Sequence, residues 1–460
     1  MAIFSKKHGI MCVALSLVLL ATMLFTGCGS SKNEVEIPDL FQDGLLPFAM
    51  GKEVKDPEYG YTTKEYKWGY INNKNEQVIA ATYDMAGAFS NGLAMVGIKD
   101  DNGAVKYGFI DKSGKLVVTC IYDKATNFAD NGTAVVGVAD KEGEISYGYI
   151  DRSGKVIITP VYSEAKSFSD NNLAAVKQDG KWGFIDKSGK QVIPCLYDTV
   201  REFVDGYSII CMGSNYGMID TKGKMVINPM YQYIGEFAQN GLALVEMDGD
   251  WGYINNKGEQ KIPATYSDAG SFGDNGLAPV CIGTKWGYID KNNNIVIPTM
   301  FDDARAFAEN GLAAVEMNDK WGFIKKNGEY AIQPSFDEVD SFMDNMSVVN
   351  ISGKTGVINN KGEYLIQLGL YDTINYDGTD SFMVSNMSGD DYDSLKSGIV
   401  DKNGKEMVAL NYYRAIGFFK DGYALVTTRD DDGNTKFGVV NKKGEAVIPA
   451  IYEALYNVIY

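Results

Sequence analysis

Short apolar runs separated by polar turn residues recur along the whole chain after Leu40. Residues 311–317 (GLAAVEM), 321–325 (WGFIK) and 330–334 (YAIQP) are typical, since each is rich in β-branched or aromatic residues and is bounded by turn residues. Such runs predict strands. The turns between them, such as DKSGK from Asp111, place glycine where a tight hairpin needs a positive φ. We therefore expect antiparallel meanders of three strands, with the YDxAxxF segment as a fourth strand or a return loop.

The same unit recurs along the chain at a nearly constant period, and an aromatic–glycine pair marks it most clearly. The residue before this glycine is aromatic in the first eight units and Thr355, Ser397 and Phe437 in the last three. The eight aromatic positions are Trp68, Tyr107, Tyr147, Trp182, Tyr216, Trp251, Trp286 and Trp321. A small unit buries its apolar face only against its neighbours. We therefore interpret these aromatic residues as structural packing residues; a ladder for sugar rings or peptides is the alternative.

The period falls within the range of roughly 20–50 residues that is typical of solenoids, propellers and arrays. About eleven units fill positions 39–460, which we predict to form one all-β repeat domain. Eleven units exceed the number of blades typical of one β-propeller, and each unit is short for a four-stranded blade. The sequence therefore favours an open superhelical β-array of tandem meanders, with one or two β-propellers as the alternative.

Length differences between units are confined to one hairpin, which joins the GLAxV segment to the aromatic–glycine segment. The hairpin is enlarged at sequences such as IKDDNGAVK and TTRDDDGNTK, and the enlarged copies occur toward both ends of the chain. Insertions restricted to one loop class project from one face of a repeat array. Any recognition is therefore predicted to lie in these variable hairpins rather than in the tryptophans.

The N-terminal segment up to Pro38 has the pattern of a secretion signal followed by a tether. Lys6 and Lys7 precede an apolar run from Ile10 to Phe25, and Gly27-Cys28 follows. This pattern resembles a bacterial lipoprotein signal peptide over positions 1–27, with lipid (palmitate) attached to Cys28. Positions 28–38 are polar and small and suit a flexible tether. We expect an extracytoplasmic protein anchored by lipid to the bacterial membrane; plain secretion and a retained transmembrane anchor are the alternatives.

Charge and composition exclude several classes of function. The formal net charge is −17, and it becomes −19 without positions 1–27, because Lys6 and Lys7 leave and no acid does. This balance argues against nucleic-acid binding, which needs Lys and Arg to neutralise phosphates, and disfavours contact between the body and anionic lipid headgroups. The only histidine, His8, leaves with the signal, so catalytic systems and metal sites that require histidine are excluded.

Metal and cofactor sites are not predicted. The acidic segments 430–434 (DDDGN) and 389–393 (GDDYD) lack the ligand spacing of known calcium loops. Cys120, Cys195, Cys211 and Cys281 show no metal-binding pattern. We expect free and largely buried thiols, with a Cys195–Cys211 disulfide as the one alternative. No cofactor is expected.

The unit [WY]GYIDKxGKxVIPxxYDxAxxFxxNGLAxV is similar to the WG repeat (KWG repeat) of bacterial surface and secreted proteins. The resemblance covers nearly all of the chain after the tether, and it departs at Thr355, Ser397 and Phe437. It implies an all-β repeat domain with a binding or scaffolding role, and it implies no catalytic residues.

For function, we expect a non-enzymatic cell-surface lipoprotein that uses its repeat array to engage a protein or a cell-wall glycan. Its membrane contact is expected through the lipid at Cys28. The alternative is a polysaccharide-processing or sensing protein with a carboxylate site, because a chain with 60 acids leaves room for paired carboxylates. A third option is a purely structural spacer, which predicts no saturable partner.

Overall fold

The computed structural model describes residues 37–55, 62–387 and 394–456. One short 3-10 helix, Gln42–Gly44, precedes 44 strands in these residues. The strands form eleven sheets of four antiparallel strands; ten of these sheets consist of four strands consecutive along the chain, and in the other the last described strand joins the first three. The predicted all-β fold of tandem meanders is confirmed, and no helix in the described part of the chain has the length and apolar character needed to span a membrane.

Contacts divide the chain into two compact units. One unit contains Ile37–Met230, Met383–Asp401 and Lys405–Tyr460, and we call it the terminal unit because it includes both described ends. Its complete sheets are sheet 1, with β1 (Leu46–Lys55), β2 (Thr62–Ile71), β3 (Gln77–Tyr83) and β44 (Ala454–Leu455); sheet 2, with β4 (Met85–Ser90), β5 (Leu93–Lys99), β6 (Val105–Asp111) and β7 (Leu116–Tyr122); sheet 3, with β8 (Lys124–Ala125), β9 (Thr133–Ala139), β10 (Ile145–Asp151) and β11 (Val156–Tyr162); sheet 4, with β12 (Glu164–Ala165), β13 (Leu173–Gln178), β14 (Lys181–Asp186) and β15 (Gln191–Tyr197); sheet 5, with β16 (Thr199–Val200), β17 (Tyr207–Met212), β18 (Asn215–Asp220) and β19 (Met225–Tyr231); and sheet 11, with β40 (Arg414–Phe418), β41 (Tyr423–Arg429), β42 (Thr435–Asn441) and β43 (Ala446–Tyr452).

The other unit, called the middle unit, contains Tyr231–Phe382 and Lys402–Gly404. Its sheets are sheet 6, with β20 (Tyr233–Phe237), β21 (Leu242–Met247), β22 (Asp250–Asn255) and β23 (Gln260–Tyr266); sheet 7, with β24 (Asp268–Ala269), β25 (Leu277–Ile282), β26 (Lys285–Asp290) and β27 (Ile295–Phe301); sheet 8, with β28 (Asp303–Ala304), β29 (Leu312–Glu316), β30 (Trp321–Lys325) and β31 (Tyr330–Phe336); and sheet 9, with β32 (Glu338–Val339), β33 (Met346–Ile351), β34 (Lys354–Asn359) and β35 (Tyr364–Tyr371). Sheet 10 consists of β36 (Thr373–Tyr376), β37 (Ser381–Asn386), β38 (Lys396–Asp401) and β39 (Glu406–Tyr412).

The YDxA segment forms a short strand in every sequence repeat, and this strand belongs to the following sheet. Asp268–Ala269, for example, follows the last strand of sheet 6 and pairs with β25 in sheet 7 through Asp268↔Cys281 and Ala269↔Val280. The sequence left open whether this segment is a strand or a return loop. It is a strand, and it carries the chain from one sheet to the next.

Sheet 1 is built from both ends of the described chain. Its fourth strand is β44, which pairs with β1 through Phe48↔Leu455 and Ala49↔Ala454. An open array would leave the first sheet one strand short and the last YxxA segment unpaired. Of the two predicted arrangements, this closing pair therefore favours the β-propeller over the open superhelical array.

Candidate functional site

The glycine of the aromatic–glycine pair occupies a β-bulge in each sheet. In sheet 7 the register shifts between Trp286↔Phe301 and Tyr288↔Ile297. A Cβ atom on Gly287 would lie 2.6 Å from the carbonyl oxygen of Ile297 and 2.7 Å from the nitrogen of Thr299. Both are backbone atoms, so a side chain here displaces the neighbouring strand. Glycine is therefore required by close backbone approach, and it persists at Gly356 and Gly398, where the aromatic residue is lost.

The aromatic residues of this pair lie one in each sheet, and the structure does not bring them together into one site. Trp68, Trp182 and Trp321 are buried, and the other five positions are half-buried: Tyr107, Tyr147, Tyr216, Trp251 and Trp286. Trp321 belongs to an apolar cluster with Phe323, Phe336, Phe342 and Val349, which combines residues of sheets 8 and 9. These contacts are those of packing side chains.

In seven sheets, a ring two positions after the aromatic residue of the pair makes a regular contact with the following sheet. In the middle unit, Tyr288 of sheet 7 meets Phe307, which precedes β29, with ring centroids 4.9 Å apart. The Tyr288 hydroxyl also donates a hydrogen bond to the Arg305 carbonyl oxygen at 2.8 Å. Equivalent ring pairs are Tyr70–Phe89, Phe109–Phe128, Tyr149–Phe168, Phe184–Phe203, Tyr253–Phe272 and Phe323–Phe342. The sequence did not predict this pairing, although the two rings keep the same separation along the chain in every pair.

A lysine and an aspartate at a constant separation along the chain form a second contact between sheets. Lys67 precedes Trp68, and its ammonium lies 2.6 Å from the Asp84 carboxylate, which also accepts a hydrogen bond from the Lys99 N–H. The same ion pair joins Lys106 to Asp123, Lys181 to Asp198, Lys285 to Asp302 and Lys320 to Asp337. The hydrogen bond from Lys181, followed by that from the Gly213 N–H, lowers the pKa of Asp198. These aspartates therefore remain ionised at neutral pH and fix the hairpins of neighbouring sheets.

Four enlarged hairpins form the candidate functional surface in the terminal unit. They join β1 to β2, β5 to β6, β9 to β10 and β41 to β42, and we call them the extended hairpins. A fifth enlarged hairpin joins β37 to β38, and its tip at 388–393 lies outside the described residues. The sequence places them at opposite ends of the chain. Because β44 completes sheet 1, the hairpins of sheets 11, 1, 2 and 3 are consecutive. Lys436 in β42 supports this junction, since its ammonium lies 3.1 Å from Glu453 just before β44.

The described tips of the extended hairpins are strongly acidic. Segments 100–104, 140–144 and 430–434 contain eight acids and one lysine. At each tip the first aspartate accepts hydrogen bonds from backbone N–H groups two and four positions later, as Asp430 does from Asp432 and Asn434. This aspartate stabilises the turn. Across the described residues, no group of three or more acidic, Cys or His side chains is arranged to hold a metal ion, and the acidic segment 389–393 lies outside them.

Exposed apolar side chains accompany the acidic tips. Met50, Ile98 and Val138 lie on the stems of three extended hairpins and are 49%, 41% and 40% exposed. The extended hairpins thus present carboxylates at their tips and aliphatic groups on their stems. A surface of this kind can bind a partner by charge and by apolar contact.

A second group of charged residues lies in the middle unit around Arg305. Its guanidinium carbon is 4.6 Å from the centre of the Trp321 ring, and its Nη1 donates to the Val339 carbonyl oxygen at 2.6 Å. Glu316 lies opposite Asp303 in the sheet. Burial, followed by the charges of Asp303 and Asp319, raises the pKa of Glu316. Two carboxylates thus lie opposite each other in one sheet, and the carboxylate alternative would draw on such a pair.

We expect Glu316→Gln to stabilise the middle unit by about 0.5 kcal/mol at pH 7.5, because like charges opposite each other in a sheet are unfavourable. The folded-state pKa of Glu316 is raised, so its penalty is present at neutral pH and disappears as pH falls through that pKa. Urea unfolding at pH 7.5 and pH 4.5 measures the effect. The gain should shrink at the lower pH and be absent for the exposed control Glu309→Gln; an equal gain at both pH values would contradict it.

The four cysteines of the described chain are free thiols, as expected, and no Cys195–Cys211 disulfide is present. Cys211 and Cys281 are buried, whereas Cys120 and Cys195 are half-buried. Burial raises the pKa of the Cys120 thiol to about 11. Since the reactive species is the thiolate, the position favours an inert thiol.

Cys120 is expected to react with iodoacetamide at pH 8 about 100-fold more slowly than the same thiol in urea, since its pKa of about 11 compares with an ordinary 9.0. Mass spectrometry of the Cys120 peptide over time measures both rates. Because the pKa of Cys120 is higher in the folded than in the unfolded protein, the buried neutral thiol contributes stability that is present below pH 9 and is lost as pH rises toward 11. Equal rates in native and unfolded protein would show that the thiol is not shielded.

Comparison with known proteins follows the repeat. The family model for the WG containing repeat matches residues 68–101, 107–145, 147–182, 182–216, 216–249, 251–286, 286–321, 321–354, 398–430 and 437–459. The unmatched interval 355–397 starts at Thr355, where the aromatic residue is lost. No curated protein matches the chain.

Solved structures give distant resemblances. A eukaryotic initiation factor is 13% identical, with a TM-score of 0.42, over 71% of this chain and 97% of that one. The extracellular domains of two hybrid two-component systems from B. thetaiotaomicron are each 9% identical, with TM-scores of 0.22 and 0.26. They cover 90% and 87% of this chain and 70% and 76% of their own. TM-scores this low carry no argument about function.

The predicted lipidation residue, Cys28, lies outside the described residues, so the positions that the structure places are those of the repeat. Each sheet contains the glycine at the β-bulge, and most sheets contribute a ring to a pair such as Tyr288–Phe307. The family model covers well over half of the chain. The chain belongs to the WG containing repeat family.

Proposed function

We propose that this protein is a non-enzymatic binding module, anchored by lipid at Cys28 on the outer side of the bacterial membrane, that engages an envelope protein or a cell-wall glycan. The observation that carries the proposal is the grouping of four extended hairpins on consecutive sheets. Within the repeat, these hairpins are the part that varies in length, while the sheets beneath them stay constant. Variable loops on a rigid scaffold are a common basis for recognition.

The proposal is supported by the exposed chemistry of these hairpins. Their tips carry carboxylates, and their stems carry Met50, Ile98 and Val138. Their bases are fixed by ion pairs such as Lys67–Asp84, so partner binding orders few additional residues. The N-terminal pattern that ends at Cys28 supports the location.

A binding assay with the lipidated protein in detergent tests the proposal. Immobilised protein is titrated separately with solubilised envelope proteins and with purified peptidoglycan fragments, and bound material and any glycan cleavage are measured. We expect saturable binding of one class without turnover. The triple variant Asp101→Ala, Glu142→Ala, Asp431→Ala changes one exposed residue on each described tip. It should bind about tenfold more weakly, since each lost charge contact contributes about 0.5 kcal/mol.

A matched control removes exposed acids at the other end of the same sheets. Glu76→Ala with Glu445→Ala should leave binding unchanged, because both residues lie in turns between the aromatic–glycine strand and the next strand. Equal loss in the control would show a general effect of charge. Absence of saturable binding, or cleavage of glycan by the protein, would contradict the proposed function.

The carboxylate alternative is favoured by one specific group, Glu316 with Arg305 and Trp321. A polysaccharide-processing or sensing role would place the sugar at this group. Glu316→Gln should then abolish glycan cleavage or glycan binding while leaving binding by the extended hairpins intact. If the variant has no effect on any glycan response, the second candidate fails.

A further inference from the structure

We propose that the connecting-turn face of the terminal unit rests on the anionic lipid surface of the membrane, so that the extended hairpins point away from it. The connecting-turn face comprises the turns 72–76, 111–115, 151–155, 186–190, 220–224 and 441–445. The proposal rests on lipid anchoring at Cys28, and it adds the second contact with the membrane and the direction in which the binding surface faces.

Strand direction places all of these turns at the same end of their sheets. In sheet 2, β5 runs from the turn before Leu93 to an extended hairpin, and β6 returns to the turn 111–115. The order is the same in the other sheets of the terminal unit. The connecting turns and the acidic tips are therefore at opposite ends of the strands.

The N-terminal segment enters the fold at the connecting-turn end. The Pro38 carbonyl oxygen accepts a hydrogen bond from the Lys420 N–H at 3.2 Å. The Phe41 N–H donates to the Asp421 carboxylate at 3.0 Å, and the Phe41 and Tyr423 rings lie 5.0 Å apart. Positions 420–422 form the turn that precedes β41, so Pro38 lies at the end where the strands of the GLAxV type begin.

The length of chain before Pro38 limits which end can approach the membrane. Ten steps of the chain separate Cys28 from Pro38, and a fully extended chain covers at most about 35 Å over that length. The strand β1 (Leu46–Lys55) rises from this end to an extended hairpin, a distance of roughly 33 Å. A lipid at Cys28 therefore reaches the connecting-turn end easily and the hairpin tips only when the tether is fully stretched along the sheet.

The charge of the connecting turns matches an anionic lipid surface. The six turns contain eleven cations and six acids, and all eleven cations are exposed. Four aspartates, at 111, 151, 186 and 220, are held by backbone N–H groups of their own turns. The acidic tips at the other end carry eight acids against one lysine, so an anionic surface repels that end and attracts this one.

Acids of the neighbouring turns reduce this attraction only in part. Asp43 is held by the Gly92 N–H and by Lys112, Asp130 accepts from the Asn91 amide, and Asp421 accepts from Phe41. Asp39, Asp170, Glu202 and Asp205 are exposed at the same end. The expectation from net charge that the acidic body avoids anionic headgroups therefore applies most strongly to the hairpin end, and at the opposite end the connecting turns themselves carry the excess of cations.

Lysine footprinting of the lipidated protein tests the orientation without any substitution. The protein is placed on vesicles of phosphatidylcholine alone or with phosphatidylglycerol, treated with a membrane-impermeant acetylating reagent, and analysed by mass spectrometry. We expect Lys187, Lys190, Lys222 and Lys224 to be modified several-fold more slowly on the anionic vesicles than in detergent. Lys141, on an acidic tip, is the internal control and should react equally in both. Protection of Lys141 with free modification of the turn lysines would overturn the proposal.

A charge-reversal variant gives an independent measurement. Each lysine near an anionic surface changes the surface-bound population by roughly fivefold. Changing the four turn lysines to glutamate should therefore abolish the difference in protection of the remaining turn lysines Lys112, Lys115 and Lys155 between the two vesicle types, whereas Lys141→Glu should preserve it. Identical protection on neutral and anionic vesicles would overturn the electrostatic contact. These results are separate from partner binding: a protein that fails the hairpin binding assay can still show protected turns, and one lacking lipid at Cys28 would stay off neutral vesicles and overturn the proposal at its base.

Discussion

Replacing Gly287 by alanine is expected to lower the free energy of unfolding of the middle unit by about 3 kcal/mol, the upper end of what overpacking costs in a closely packed region. The new Cβ would lie 2.6 Å from the Ile297 carbonyl oxygen and 2.7 Å from the Thr299 nitrogen. Neither atom belongs to a flexible side chain, so relief requires the bulged strand to move. Urea unfolding followed by tryptophan fluorescence measures the loss, since Trp286 is the adjacent residue.

Gly235→Ala is the matched control for this change. Gly235 lies within β20 of the same unit, does not have a positive φ, and would bring its Cβ 3.2 Å from the Tyr233 ring and 3.4 Å from the Leu244 carbonyl oxygen. The side chain can yield where a backbone cannot, so the control should cost less than about 1 kcal/mol. If Gly287→Ala is no more destabilising than the control, the bulge does not require glycine.

The fold was predictable from the sequence as far as its local elements. The runs GLAxV, WGYID and VIPxxY are strands because their alternation and turn residues specify strands without reference to distant parts of the chain. The closing pair between β1 and β44 was not predictable, because it joins Phe48 to Leu455 across the whole chain. No local pattern distinguishes a last YxxA segment that pairs with the first sheet from one that remains unpaired, and the open array was favoured on the number and length of the units alone.

For the candidate site, the sequence identifies the variable hairpins but places them toward opposite ends of the chain. Insertions near Asp100 and Asp430 were recognised from length alone, and only the closing pair shows that their sheets are near neighbours. The contribution of the repeat aromatics was also incompletely predicted. The sequence indicates that the aromatic residues of the aromatic–glycine pair are packing residues. The regular ring contact between sheets is made two positions later, by residues such as Tyr288 with Phe307. Spacing alone does not show which of two nearby recurring aromatic positions contacts the next sheet.

Deleting the Phe307 ring is expected to be the most destabilising single change in the middle unit, at about 3–5 kcal/mol for Phe307→Ala. Phe307 is 3% exposed and meets Tyr288, and both rings belong to an apolar cluster with Leu277, Phe301 and Val315. This cluster combines residues of sheets 7 and 8, so its loss separates neighbours rather than weakening one sheet. Urea unfolding measures the total cost, and hydrogen exchange shows where protection is lost.

Two comparisons distinguish loss of this contact from a general effect of removing apolar area. Met300→Ala removes a large side chain that is 48% exposed on β27 of sheet 7, the sheet that contains Tyr288. It should change the free energy of unfolding by no more than about 0.5 kcal/mol. Tyr288→Phe keeps the ring pair and removes only the hydrogen bond to Arg305, so it should cost about 1 kcal/mol. For Phe307→Ala, amide protection should fall in both β25–β27 and β28–β31, because the ring closes the interface between those sheets. A loss confined to sheet 8 would mean that the aromatic pair stabilises one meander and does not join the two.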